Sequence, residues 1–218
     1  MNVLSIQTGK PEPTPAKSGL TGHFKKPVTG PVQIGPLGLS GDTICDLDNH
    51  GGVDQAVYLF GEPDRVWWQT ELGRELPAGF FGENLLISDL LSADLAVGDK
   101  LTIGNVMLEI TAPRIPCATY AAHIGDPQAI KQFYRAARPG AYARVLQTVQ
   151  ITAGQPVEFT SYNGDRILII ESTRHYLRHF DDPDFLARVL TVPAHHKLRA
   201  LAQERLSKHA PETGPTSV

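Results

Sequence analysis

The sequence predicts an α+β fold, in which a β-barrel-like domain precedes a small C-terminal subdomain of three helices. Across the first three quarters of the 218-residue chain, short apolar segments alternate with glycine and proline. That alternation is typical of a barrel or a strongly curved sheet. After about Gly164, glycine is absent as far as Lys208 and apolar residues recur at helical spacing. We therefore divide the chain into residues 1–160, residues 161–209 and a tail, 210–218, that we expect to be disordered.

The predicted strands lie in the first domain, where each apolar segment is bounded by turn residues. The dipeptide Gly104-Asn105 separates two of them and predicts a tight hairpin. The glycine-rich segment from Gly35 to Gly41 fits a turn. The predicted strands are Val3–Ile6, Val28–Ile34, Ala56–Phe60, Leu85–Ile87, Lys100–Ile103, Val106–Thr111, Ala141–Val149 and Val157–Phe159.

Helical spacing of apolar residues predicts two helices in the first domain and three in the second. The sequence Asp126-Pro127 suits the start of a helix, because aspartate caps the N-terminus and proline is tolerated in the first turn. Asp182-Pro183 makes the same prediction for a later helix. The predicted helices are Glu62–Leu72, Asp126–Ala137, Ile167–Arg178, one capped at Asp182 that runs to Leu190, and one from Pro193 through Leu206.

Composition and charge narrow the range of functions that this chain is expected to have. The net charge of −3 and the pI of about 6.2 give no argument for binding nucleic acid or an anionic membrane. No apolar stretch approaches the roughly 20 residues that span a bilayer, and the first residues do not resemble a signal peptide. The chain has two cysteines, Cys45 and Cys117, too few for a disulfide scaffold. We expect a cytoplasmic protein with reduced thiols, and we interpret Cys45 as structural.

The segment from Ala112 to Cys117 is predicted to be a rigid loop, because Pro113 and Pro116 bracket Arg114 and force extended backbone before each proline. Such a loop presents Arg114 and Cys117 in fixed directions. A guanidinium close to a thiol favours thiolate, which attacks electrophiles or binds metal. The local sequence leaves open that Cys117 is simply a small buried apolar residue.

Three further segments carry polar residues beside flexible backbone or strand ends. His50 precedes Gly51 and Gly52, whose freedom to adopt positive φ would let the backbone approach a ligand. Glu83 and Asn84 lie at the mouth of a predicted strand, where a buried glutamate would need partners. Lys25 belongs to a basic pair that could anchor a phosphate. Each segment is also compatible with an ordinary surface turn.

Two adjacent histidines, His195 and His196, lie near the start of the last predicted helix. Neighbouring side chains on a helix point about 100° apart. We therefore predict a poor metal-binding pair and interpret these residues as a polar helix start.

Taken together and in this order, the segments resemble the MOSC domain family, named for the C-terminal domain of molybdenum-cofactor sulfurase. They are most similar to its bacterial YiiM-like branch, which carries a C-terminal three-helix extension. The resemblance covers roughly Val3 to Phe159. The matching pieces are Lys25 with Pro27-Val28, Gly38-Leu39-Ser40-Gly41-Asp42, His50-Gly51-Gly52, Phe81-Gly82-Glu83-Asn84-Leu85, Val97-Gly98-Asp99 and Pro113-Arg114-Ile115-Pro116-Cys117.

The resemblance implies a β-barrel-like fold that binds a molybdopterin-type molybdenum cofactor. It implies reduction of N-hydroxylated compounds, such as hydroxylamines and amidoximes. The sequence has no set of cysteines for an iron–sulfur cluster, so we expect electrons from a separate reductase. The resemblance leaves a homodimer open. The implied roles are Cys117 as metal ligand, His50 or Glu83 as proton source, and Lys25, Asn84, Arg114, Gly51 and Gly52 in cofactor binding.

Two positions depart from the family pattern: Thr119 and Gln55 stand where relatives often have basic residues. Both departures remove positive charge near the expected pterin phosphate. A partner-binding role for the C-terminal helices is one alternative, and two further alternative functions share the same segments as the resemblance. One is a non-catalytic carrier of the molybdenum cofactor or of sulfur, with a persulfide on Cys117. The other is a module that binds an anionic small molecule, in which Lys25 would bind pyridoxal phosphate.

Overall fold

The computed structural model describes residues 1–16, 19–177 and 181–209. The predicted tail, 210–218, and Arg178, the predicted end of one helix, lie outside the described residues. The strands are β1 Val3–Thr8, β2 Glu12–Pro13, β3 Leu20–Thr21, β4 Lys26–Pro27, β5 Val32–Gly35, β6 Gly38–Leu39, β7 Val57–Gly61, β8 Leu85–Ile87, β9 Lys100–Ile103, β10 Val106–Pro113, β11 Ala141–Gln147, β12 Gln150–Ile151 and β13 Val157–Thr160. The helices are α1 Glu62–Leu72, α2 Ala118–Ile124, α3 Ala129–Ala136, α4 Ile169–Leu177, α5 Pro183–Thr191 and α6 His196–His209.

One eight-stranded sheet forms the body of the molecule, in the order β13-β9-β10-β11-β7-β8-β1-β4. Its neighbouring strands are antiparallel except for the parallel pair β7 and β8. The sheet curls back on itself, because Asn2 bridges Pro156 and the Val3 amide donates to the Gln155 carbonyl at 2.9 Å. These contacts bring β1 to the start of β13, so the predicted α+β, barrel-like fold is confirmed.

Strand β7 is buried on both faces and separates two hydrophobic clusters. Val57 and Leu59 point into the barrel interior, while Tyr58 and Phe60 point outward into an aromatic cluster covered by α1, α2 and α3. Side chains alternate between faces along a strand, so a strand covered on both sides is apolar throughout. Trp68 of α1 is fully buried in the aromatic cluster.

The C-terminal helices pack on the barrel through side chains that belong to the same hydrophobic cluster as the barrel interior. Those side chains include Phe185, Leu186 and Val189 of α5 and Leu198 of α6. The predicted cap of α5 is confirmed, because the Asp182 side chain accepts from the amides of Asp184 and Phe185. The division of the chain at about residue 160 stays a prediction. Among the described residues, no helix is both long and apolar enough to span a membrane.

Several predicted boundaries are wrong. The segment Val28–Ile34 does not form one strand, since Gly30 has a φ of 81° and Pro31 follows it. It is replaced by β4 and β5, and the predicted Ala141–Val149 strand ends at Gln147. The hairpin at Gly104-Asn105 is confirmed by the pairing of Ile103 with Val106.

The helical boundaries also differ from the prediction. The helix expected from Asp126 begins at Ala129, and the Asp126 carboxylate accepts from the Gln128 amide at 2.7 Å just before it. A helix that was not predicted, α2, follows Cys117 directly. The last helix begins at His196, three residues after the predicted start.

Candidate active site

A cavity of about 1080 Å³ collects most of the predicted site residues. Its walls come from the loops around Lys25 and His50, the end of β10, and residues of the C-terminal segment. Six of the eight predicted residues line it: Lys25, His50, Gly51, Asn84, Arg114 and Cys117. Gly52 and Glu83 do not line it.

Cys117 lies at the N-cap of α2, directly after Pro116, and its backbone is extended. The Arg114 Nη2 lies 3.7 Å from its Sγ. Burial by itself would raise the pKa of the thiol. A hydrogen bond from His50, the charge of Arg114 and the backbone amide of Tyr120 outweigh burial and lower that pKa to about 6. The thiolate is therefore the major form at pH 7.

Arg114 supplies the positive charge at this end of the cavity. Its side chain is buried, Nη1 donates to the Tyr142 hydroxyl at 2.8 Å, and the guanidinium lies 5.7 Å from the Tyr58 ring centroid. Within the described part of the chain, no carboxylate forms an ion pair with Arg114. A buried cation without a carboxylate partner favours an anionic neighbour, here the Cys117 thiolate or a bound ligand.

Lys25 is held at the cavity wall by Asp42. The two side chains form a buried ion pair, and the Asn84 Nδ2 donates to Asp42 Oδ2 at 2.8 Å. The Asn84 Oδ1 in turn accepts from the Tyr58 amide at 3.0 Å. Burial lowers the pKa of Lys25, and Asp42 opposes that shift. Asp42 was not predicted as a site residue, although it ends a family motif, and its carboxylate neutralises much of the Lys25 charge.

Glu83 lies beneath the cavity wall. Its Oε1 accepts from the Gly79 amide at 2.6 Å and its Oε2 accepts from the Phe81 amide at 3.0 Å. Burial raises its pKa to about 7, although these amides oppose the shift. Both carboxylate oxygens are engaged in shaping the loop that carries Asn84. This placement gives Glu83 a structural role and does not support the expected role as proton source.

The glycine pair after His50 adopts the backbone that the sequence predicts, with φ of 79° at Gly51 and 78° at Gly52. A Cβ on Gly51 would lie 2.9 Å from the Ile44 Cδ1, the end of a flexible side chain that can shift, so the preference for glycine rests on the positive φ. Gly51 lines the cavity, whereas Gly52 precedes the short turn Val53–Gln55. The glycine pair thus lets the chain turn and bring His50 to Cys117.

The interpretation of Cys45 as structural is wrong. Cys45 is exposed and lines the same cavity as Cys117, so it does not contribute to core packing.

The geometry predicted for the two histidines is also wrong. Because α6 begins at His196, His195 lies outside the helix and the two rings stack with centroids 4.4 Å apart. Ligand atoms of Asp54, His195 and His196 lie within 4.8 Å of one another. His195 and Lys197 also line the cavity. No sequence motif joins these residues to Cys117.

Comparisons with known proteins show the family and the fold of this chain. The family model described as MOSC domain matches residues 46–158. YflK of Bacillus subtilis is 30% identical over 73% of this chain and 73% of its own length. A protein named reductase from Gibberella moniliformis is 27% identical over 87% of this chain, which spans 34% of that longer protein. The crystal structure of YiiM from Geobacillus stearothermophilus has a TM-score of 0.78 at 28% identity, covering 94% of this chain and 98% of that one.

Proposed function

This chain belongs to the MOSC domain family, in its bacterial YiiM-like branch, and on that premise we propose that it is a molybdenum-dependent oxidoreductase. The proposed reaction is the reduction of N-hydroxylated compounds, such as hydroxylamines and amidoximes. The observation that carries the proposal is the Cys117 thiol, whose pKa is lowered to about 6 in a cavity beside the buried Arg114. The relative named reductase supports the same reaction class.

The cavity suits a molybdopterin-type cofactor in size and in donor chemistry. Small-molecule sites commonly measure roughly 300–1,000 Å³, and this cavity of about 1080 Å³ is large enough for a cofactor and a substrate together. A thiolate is a soft ligand that suits such a metal centre. Three residues that line the cavity each carry a buried polar atom without a partner among the described residues: His23 Nε2, Gln55 Oε1 and His195 Nε2. Buried polar groups are normally satisfied, so these atoms favour a polar ligand.

Each residue of the site has a distinct task in this proposal. Cys117 would hold the metal, and Arg114 would stabilise negative charge on the thiolate and on a bound anion. His50, hydrogen-bonded to Cys117, is placed to hold a proton at a ring nitrogen near the reacting group. The Lys25–Asp42–Asn84 network would shape the wall and carry little net charge. When bound, the cofactor would supply the two-electron chemistry that cleaves the N–O bond.

We also propose that electrons come from a separate reductase protein. The chain has only Cys45 and Cys117 as cysteines, whereas an iron–sulfur cluster usually needs four.

Metal analysis tests the proposal directly. The protein is produced in cells that make the cofactor, and molybdenum per chain is measured by mass spectrometry for wild type, Cys117→Ser and the control Cys45→Ser. We expect metal in wild type and in Cys45→Ser and its loss from Cys117→Ser. The loaded wild type should reduce benzamidoxime with reduced methyl viologen as electron donor. Equal metal in Cys117→Ser and wild type would refute the ligand assignment.

The same preparation separates the two alternative functions. A persulfide on Cys117, together with loaded protein that reduces no N-hydroxylated compound, would favour the carrier. An internal aldimine absorbance band that Lys25→Ala abolishes would favour pyridoxal phosphate binding. The buried ion pair with Asp42 weighs against the latter, because Asp42 opposes the loss of the Lys25 proton, although burial lowers the pKa of that amine.

A further inference from the structure

We propose that His195, on the segment that leads into α6, is a ligand-binding residue of the cavity, where its Nε2–H donates to an acceptor of the bound molecule. Gln55 on the same wall would accept a hydrogen bond through Oε1. The pair would select a ligand whose edge carries an acceptor beside a donor, as amidoximes and pterins do. The inference rests on the proposed function only in that this cavity binds a ligand.

The contacts of His195 determine which ring nitrogen carries the proton. Its backbone amide donates to the Thr111 carbonyl at 3.0 Å, which fixes the residue against β10. Its Nδ1 accepts from the Lys197 amide at 3.0 Å, so the hydrogen of the neutral ring lies on Nε2. The residue is 4% exposed, and Nε2 has no partner among the described residues. The ring therefore holds a buried donor without a partner at the wall of the cavity, among the residues that the structure describes.

The surroundings keep the His195 ring neutral. Burial, together with the neighbouring His196, Lys197 and Arg144, lowers its pKa to about 4, although Asp54 opposes the shift. A neutral donor suits a carbonyl oxygen, an oxime or a ring nitrogen as well as an anion. Leaving such a donor unpaired costs about 1–3 kcal/mol, and a ligand acceptor would remove that cost.

Gln55 also lines the cavity and is linked to His195 by a short chain of contacts. Thr111, whose carbonyl holds the His195 amide, donates from Oγ1 to the Asp54 carbonyl at 2.6 Å. Gln55 follows Asp54 in the turn Val53–Gln55, and its Oε1 is buried without a partner among the residues described. An unpaired donor and an unpaired acceptor thus lie on neighbouring segments of one wall.

A metal ion fits this group less well than a hydrogen-bonded ligand, although Asp54, His195 and His196 lie close together. The Arg144 Nη2 lies 3.0 Å from Asp54 Oδ1 and would repel a cation. The His195 Nδ1 already accepts an amide hydrogen, so a metal on Nε2 would require the ring to lose its only proton. Donation from Nε2 to a ligand needs no such change.

The test uses the full chain without metal, so that it stands apart from the proposed redox activity. Benzamidoxime represents the substrate and 6-hydroxymethylpterin represents the cofactor. Binding is measured by calorimetry, and the His195 nitrogen resonances are followed by NMR in protein labelled with ¹⁵N-histidine. The variants are His195→Leu, Gln55→Met and the rescue variant His195→Gln. The matched control is Gln203→Met, which lies on the exposed face of α6.

We expect at least one probe to shift the His195 Nε2 resonance. The loss of one hydrogen bond should weaken its binding roughly five- to tenfold in His195→Leu and in Gln55→Met, and His195→Gln should restore part of it. If binding of benzamidoxime depends on these residues, they contact the substrate. If binding of 6-hydroxymethylpterin does, they contact the cofactor. The inference is overturned if both probes bind Gln55→Met as tightly as they bind Gln203→Met and neither probe shifts the His195 resonance. Absence of molybdenum from wild-type protein produced in cells that make the cofactor would instead count against the proposed function.

Discussion

Substitution of Glu83 by glutamine should change how the stability of this protein depends on pH. The Glu83 side chain is fully buried, and burial raises its pKa from 4.5 to about 7 against the opposing effect of the amides of Gly79 and Phe81. At about 1.4 kcal/mol for each pH unit between the two values, the free energy involved is about 3 kcal/mol. Because the group is fully buried, solvent screening does not reduce this figure.

The direction of this pH dependence follows from the number of protons that Glu83 binds in the folded and unfolded states. In the folded state Glu83 holds its proton up to about pH 7, whereas in the unfolded chain a glutamate loses it near pH 4.5. Between these values the folded state binds more protons, so the free energy of unfolding falls as pH rises through this window. The contribution of Glu83 is most favourable below about pH 4.5 and levels off above about pH 7. Glutamine does not ionise and lacks this contribution.

The free energy of unfolding is measured for wild type and Glu83→Gln by urea denaturation, with tryptophan fluorescence as the signal. The measurement is repeated at intervals from pH 4.5 to pH 8, and the difference between the two proteins is compared. We expect wild type to lose about 3 kcal/mol relative to the variant across this range. Other titrating groups cancel in the difference. Glu158→Gln, at an exposed position of β13, serves as the control and should show no such trend. A wild-type-minus-Glu83→Gln difference that stays constant with pH would refute the reasoning.

Three further predictions concern the site and its support. In the metal-free protein, alkylation of Cys117 should rise with a midpoint near pH 6, and Arg114→Gln should move that midpoint upward; a midpoint unchanged in the variant would contradict the role of the guanidinium. Asp42→Asn leaves Lys25 buried without its carboxylate and should destabilise the fold by roughly 3–5 kcal/mol in chemical denaturation. Wild-type stability in that variant would show the ion pair to be dispensable. Phe81→Ala empties a fully buried position in the aromatic cluster and should cost about 3–5 kcal/mol; a loss below about 1 kcal/mol would mean that the cluster closes the cavity left behind.

Features set by local chemistry were predictable from the sequence. The turn at Gly104-Asn105 and the cap at Asp182 formed as expected, because positive φ and side-chain capping depend on a few neighbouring residues. The order of the motifs identified the family, and with it the pairing of Arg114 and Cys117. The helix after Cys117 was missed, since the proline-bracketed loop before it carries no signal that a helix follows.

Features set by long-range packing were decided only by the tertiary structure. Glu83 and Asn84 are adjacent in sequence, yet one lies beneath the cavity wall and the other lines it. Burial and partners govern what a polar side chain can do, and both come from segments distant along the chain. The sequence by itself determined that this is a MOSC domain with Cys117 behind a rigid loop. Only the tertiary structure places Asp42 beside Lys25, where it neutralises the lysine charge. Only the tertiary structure brings His195, from the C-terminal segment, to the wall of the cavity.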